Sequence, residues 1–144
     1  MLHIFILFFL LCIIGGLGLV VATPKMILKI SGAGHSVVNG IFKPQNPTAI
    51  PIGFAKVCKK QFWNTEETWK LLTDLKRPWY LKDDESYVYF NKQDGKWWID
   101  APQGYGVYIA KESVANEVIP PIDGWDFLAN EYAPLPLIEF TKDE

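Results

Sequence analysis

Sulfur and imidazole are scarce in this chain. Its 144 residues hold two cysteines, Cys12 and Cys58, two histidines, His3 and His35, and no C-x-x-C spacing. Neither a disulfide framework nor a cysteine-based zinc site can be assembled from that inventory. Arginine is rarer still: Arg77 stands alone, and a net charge of −2 lacks the basic excess that nucleic-acid binding requires, so no nucleic-acid partner is expected. Charge of any kind is missing from residues 1–22, and acid from residues 1–65. The length leaves room for one ordinary domain and one further segment, which excludes large catalytic folds. An apolar fraction of 49% excludes a disordered chain.

What fills the uncharged start is a run from Ile4 to Thr23, IFILFFLLCIIGGLGLVVAT. Twenty residues at about 1.5 Å each span about 30 Å, the thickness of a bilayer core. A cleavable signal peptide carries a positive n-region, a shorter apolar run and a small-x-small cut site. Only the last is present, as Val20-x-Ala22, and Gly15, Gly16 and Gly18 form the small-residue face on which membrane helices pack. The expectation is a transmembrane anchor over residues 1–23. The membrane-proximal bases Lys25 and Lys29 follow it, and the positive-inside rule then places the domain on the cytoplasmic, stromal or matrix face. An anchor of this kind belongs to a subunit of a larger membrane complex, with the thylakoid or the mitochondrial inner membrane as candidate sites.

Charge is split along the chain as well. Residues 1–65 carry six lysines and no acid, whereas residues 66–144 carry eight basic and sixteen acidic groups. A basic collar beside an apolar segment suits an anionic lipid surface or an acidic partner, with the acidic remainder turned away from it.

Beyond the anchor the pattern predicts an α+β module over residues 24–125: a small antiparallel sheet with an inserted helix pair, followed by an extended tail over 126–144. Met26–Ser31 reads as a strand that turns at Gly32-Ala33-Gly34, and Val37–Phe42 returns through an Asn-Gly turn. Pro44–Pro51 breaks the sheet. Phe54, Cys58 and Phe62 at i, i+4 and i+8 predict a helix over 52–62 with those three on its buried face. Asn64 as N-cap with Glu67 at N3, then Trp69, Leu72 and Leu75, predicts a second helix over 65–75. Ser86–Asn91 and Lys96–Asp100 around Gln93-Asp94-Gly95 form a hairpin. Its alternation sets Tyr87 and Tyr89 opposite Val88 and Phe90, and Trp97 opposite Trp98, so that one face meets the helix pair. Gly106–Ala110 supplies a third strand.

The order Gly32-Ala33-Gly34, Val38-Asn39-Gly40, Pro51-Ile52-Gly53-Phe54, Tyr87-x-Tyr89, Gly95-Lys96-Trp97-Trp98-Ile99-Asp100, Val107-Tyr108 and Pro120-Pro121-x-x-Gly124-Trp125 resembles a small module that recurs in predicted proteins of microalgae and other protists. The resemblance spans about residues 32–125. It implies a compact scaffold or interaction domain without catalytic residues, and points to a photosynthetic or respiratory supercomplex as the anchoring assembly.

Motifs of chemistry are thin. Gly32-x-Gly34 lacks the third glycine and the lysine of a phosphate loop and reads as a tight turn. His35-Ser36 has no acid near it in sequence to orient a base. Asp83-Asp84-Glu85 lacks the spacing of a calcium loop and reads as a solvated turn. No enzyme is expected, and no cofactor is required, although a helix backbone, His3 or a bound lipid offers a contact for chlorophyll. The 21 aromatic residues are the one unusual resource. Most should fill a small core, and a patch drawn from Trp97, Trp98, Tyr105, Tyr108 and Trp125 should form a docking surface. The leading expectation is a non-catalytic, membrane-anchored accessory subunit that scaffolds protein contacts, in a photosystem–antenna or respiratory assembly. The alternative is a secreted or lumenal carbohydrate-binding module released by cleavage at Ala22.

Overall fold

A computed structural model describes residues 25–111 and 118–143. The expected membrane helix, with Gly15, Gly16 and Gly18, lies outside the described residues. Among the described residues, no helix is long and apolar enough to cross a membrane.

Eight strands form one antiparallel sheet, a half-barrel: β1 (Met26–Ser31), β2 (Gly40–Gln45), β3 (Trp79–Leu81), β4 (Tyr87–Asn91), β5 (Lys96–Asp100), β6 (Gly106–Lys111), β7 (Trp125–Phe127) and β8 (Leu137–Lys142). The spatial order is β7-β6-β5-β4-β3-β2-β1-β8, so the first seven strands run as a meander and β8 returns to the far side of β1. Helices α1 (Ile52–Lys60) and α2 (Thr65–Leu72) are inserted between β2 and β3. The α+β class with an inserted helix pair is therefore present.

Period-two alternation divides the rings between two cores. Val88, Phe90, Trp97 and Ile99 join the larger cluster with Leu28 and Phe42. Tyr87 and Tyr89, with Trp98 against them, face the helices and meet Phe54 and Trp69. Trp69 sits centrally there, with its ring centroid 4.9 Å from Phe54 and 5.6 Å from Tyr89. A buried indole needs an acceptor for its N–H. Trp69 finds the Pro47 carbonyl at 3.1 Å and Trp79 the Asn46 carbonyl at 3.0 Å, which pins the proline-rich loop to the helical layer.

Both helices end earlier than their periodicity predicts, for local reasons. At the end of α1 the Trp63 amide donates to the Cys58 carbonyl at 2.9 Å and the Phe62 amide to that of Lys59 at 3.3 Å. That is the paired closure of a Schellman motif, and it places Phe62 at φ +58. Helix α2 starts as expected, with Asn64 Oδ1 accepting from the Glu67 amide at 3.1 Å. It stops at Leu72, where buried Thr73 turns its hydroxyl back to the Trp69 carbonyl at 2.8 Å and its backbone becomes extended. Asp74 then accepts from the amides of Lys76 and Arg77, and Leu75 has left the helix at φ +56.

The expected irregular tail is corrected by two strands. β8 pairs with β1 along six positions, from Met26↔Lys142 to Ser31↔Leu137, and lays Ile138 and Phe140 on the main core. Pro134 and Pro136 mask this strand in the sequence, because prolines cluster immediately before it. Strand β3 is likewise invisible to periodicity at three residues. Pro44 pairs with Tyr80 inside β2, so the sheet continues past the expected break.

Candidate docking face

Most of the expected aromatic patch lies inside the protein. Trp97 and Tyr108 are both 0% exposed and Trp125 is buried with them. Alternation turns Trp97 inward, and pairing of β6 with β5 and of β7 with β6 carries Tyr108 and Trp125 into the same main core. Trp98 is half-buried and donates from Nε1 to Asp94 Oδ2 at 2.9 Å. Of the five, Tyr105 alone is exposed, at 44%. Lys25 accepts from the Asp143 amide through its carbonyl, and Lys29 Nζ lies 3.3 Å from Glu139 Oε2 across the β1–β8 pair. One acid of β8 thus lies beside Lys29.

The exposed aromatics lie elsewhere. Phe62 is 97% exposed and its neighbour Trp63 is 55% exposed. Periodicity assigns Phe62 to the buried face of α1, but the helix closes first and swings it into solvent. Position C′ of a Schellman motif is where glycine is usual, since a side chain at positive φ clashes with the following carbonyl. A phenylalanine held there and turned fully outward combines backbone strain with surface apolarity, a pairing associated with function. Lys56, Lys59 and Lys60 on the same helix are exposed, and in the last turn the charge of Lys59 and Lys60 also suits the macrodipole. The sequence signal for this site is Lys59-Lys60-Gln61-Phe62-Trp63 directly before the Asn64 cap.

Beside this tip lies a cleft of about 320 Å³ between α1 and the β5–β6 loop, lined by Lys56, Val57, Lys60, Gln61, Gln103 and Tyr105. Two glycines make it. A Cβ on Gly104, at φ +87, would overlap the Gly53 carbonyl, and one on Gly53 would press on the Pro102 carbonyl and the Tyr87 ring. Their absence lets helix and loop touch. The Tyr105 wall is braced from below. Its hydroxyl shares a hydrogen bond with His35 Nε2 at 3.2 Å, and the His35 ring stacks at 5.1 Å from Tyr132. The His35 amide donates to buried Tyr108 Oη at 3.0 Å, which in turn donates to the Tyr132 carbonyl at 2.6 Å. A smaller cleft of about 200 Å³ lies over Trp69 and Leu75, where Glu66 and Lys70 oppose each other's charge.

Chemistry under the helices is sealed. Asp100 is buried at the end of β5, across from Tyr87 in the β4–β5 register. Burial pushes its carboxyl up to about 7, weakly opposed by the Tyr87 hydroxyl, which sits outside ideal hydrogen-bond geometry. Burial and the nearby Asp100 charge raise the Tyr87 and Tyr89 hydroxyls. Cys58 is raised by burial, against hydrogen bonds with Thr65 and Thr68. At Asp84 burial is outweighed by the Lys82 ammonium at 2.7 Å and the Ser86 amide, so its carboxyl is lowered. No group of three histidine, cysteine or acidic residues that could hold a metal occurs among the described residues.

Compared with protein-family models, with curated proteins and with solved structures, the chain matches none.

Proposed function

We propose that this protein is a non-catalytic, membrane-anchored accessory subunit that docks a partner through the Phe62–Trp63 tip. One observation carries the docking reading: a phenylalanine almost wholly in water, held at φ +58 where glycine is usual, beside an exposed tryptophan. Core packing gives no reason for either ring to be outside. The three lysines of α1 favour an acidic surface on the partner. The anchor reading is supported by the uncharged run of Ile4–Thr23, and the resemblance to protist modules favours a photosynthetic or respiratory membrane assembly.

Gentle solubilisation of membranes followed by native electrophoresis and mass spectrometry of each band tests both halves. Comigration of the chain with a large complex, with residues 1–23 present, is the expected outcome. In a Phe62→Asp/Trp63→Asp variant the chain should remain in the membrane fraction and leave the complex. Recovery in the soluble fraction with a terminus at Thr23 overturns the anchor, and undiminished comigration of the double variant overturns the docking tip.

A further inference from the structure

The cleft beside the tip has a chemistry of its own. Two ammonium groups, two carboxamides, one phenol and one valine line it, and no carboxylate does. Lys56 and Lys60 call for negative charge in whatever sits there. Gln61 and Gln103 each donate and accept, as does the Tyr105 hydroxyl, and such groups match ligand hydroxyls, which also do both. The exposed part of the Tyr105 ring adds a flat surface for the C–H face of a saturated ring. At about 320 Å³ the space lies at the lower end of small-ligand sites. It accommodates one six-membered ring with a substituent.

From this we infer that the cleft binds a monosaccharide bearing one anionic group, a phosphate or a carboxylate. The lysines on α1 hold the anionic group while Gln61, Gln103 and Tyr105 read the hydroxyls. The bracing of Tyr105 through His35, Tyr132 and buried Tyr108 fixes that wall before the ligand arrives, which removes part of the ordering cost of binding. Docking at the Phe62–Trp63 tip would draw on the same Lys56 and Lys60, although neither ring lines the cleft.

The test is titration of the full chain in detergent micelles with four probes, read by calorimetry and ligand-observed NMR. Glucose 6-phosphate and glucuronate distinguish the two anionic groups, and glucose and inorganic phosphate carry each half of the chemistry alone. Binding of either acidic sugar at least about tenfold tighter than glucose and inorganic phosphate is expected. Lys56→Gln and Lys60→Gln should each weaken it by about threefold to fivefold, the worth of an exposed ion pair. Gln103→Ala should weaken it with no change in thermal stability. Inorganic phosphate binding as tightly as glucose 6-phosphate overturns the inference in favour of a bare anion site. A tri-glutamate peptide binding as tightly as the acidic sugars reassigns the cleft to a partner's acidic side chain, and absence of binding by both acidic sugars sinks it outright.

Discussion

The Trp63 amide donates to the Cys58 carbonyl at 2.9 Å, and this bond ends α1 and carries the chain round through Phe62 at φ +58. Stability alone would place glycine at that turn. Phe62 costs backbone strain and buries almost nothing, so its replacement separates stability from the proposed docking role.

Phe62→Gly should therefore raise stability while abolishing docking. Relief of the left-handed strain is worth on the order of 1 kcal/mol after the extra flexibility that glycine brings to the unfolded chain. Because the ring is 97% exposed, its removal forfeits almost no burial. Urea unfolding should show a higher midpoint at unchanged slope, together with loss of comigration in native gels. A lower midpoint would mean that the ring is a structural part of the helix closure.

Asp100 gives the fold a pH dependence of definite sign. Its carboxyl rises from 3.8 to about 7 on folding, so the native state holds a proton that the unfolded chain releases. Stability from this group is complete below about pH 4, falls as pH rises towards 7, and is level above that. Asp84 works in the opposite direction and only below its ordinary range, because its carboxyl is lowered. Unfolding free energies at pH 4.5 and pH 8 should thus differ in favour of the lower pH, and Asp100→Asn should level the two. Parallel pH profiles for the variant and the parent would show that the carboxyl is hydrated in the native state.

Gly104→Ala should destabilise the domain by about 2 kcal/mol or more, since the added methyl meets the Gly53 carbonyl at a positive φ that alanine resists. Gly95→Ala is the matching control. It shares a positive φ of +68 but has open space around it, so it should cost only the backbone strain. Thermal denaturation of the pair reads the difference, and equal losses would mean that contact between helix and loop is not tight.

Where a residue's neighbours lie close in sequence, its place was legible. The β4–β5 hairpin forms where its alternation and Gly95 turn predict, with β5 at the predicted bounds and β4 starting one residue later, and Asn64 caps α2 as its spacing with Glu67 predicts. Burial set by distant strands was not legible. Trp97, Tyr108 and Trp125 carry the same polar-edged rings as Tyr105, and only the pairing of β6 with β5 and β7 decides that three are core and one is surface. Phe62 failed for the opposite reason, because a two-residue backbone closure overrode a helical repeat that otherwise places it inward. The cleft joins α1 to a loop some forty residues later, which no local pattern encodes.

Truncation tests the boundary that the sequence suggests at residue 125 against the one that the sheet requires. If residues 126–144 were a detachable tail, a chain ending at Trp125 would fold as well as the parent. The β1–β8 pairing argues otherwise: removing Leu137–Lys142 strips six paired positions from β1 and uncovers the side of Leu28 and Ile30 that Ile138 and Phe140 cover. At about 25 cal/mol per Å² of apolar surface, two such side chains are worth several kcal/mol, comparable to the whole stability of a domain this size. The bared β1 would also become an open edge that invites strand pairing between molecules. A chain ending at Trp125 should accordingly lose cooperative unfolding and aggregate, whereas one ending at Lys142 should match the parent. Cooperative, monomeric unfolding of the shorter chain would show that β8 is an ornament on a sheet complete without it.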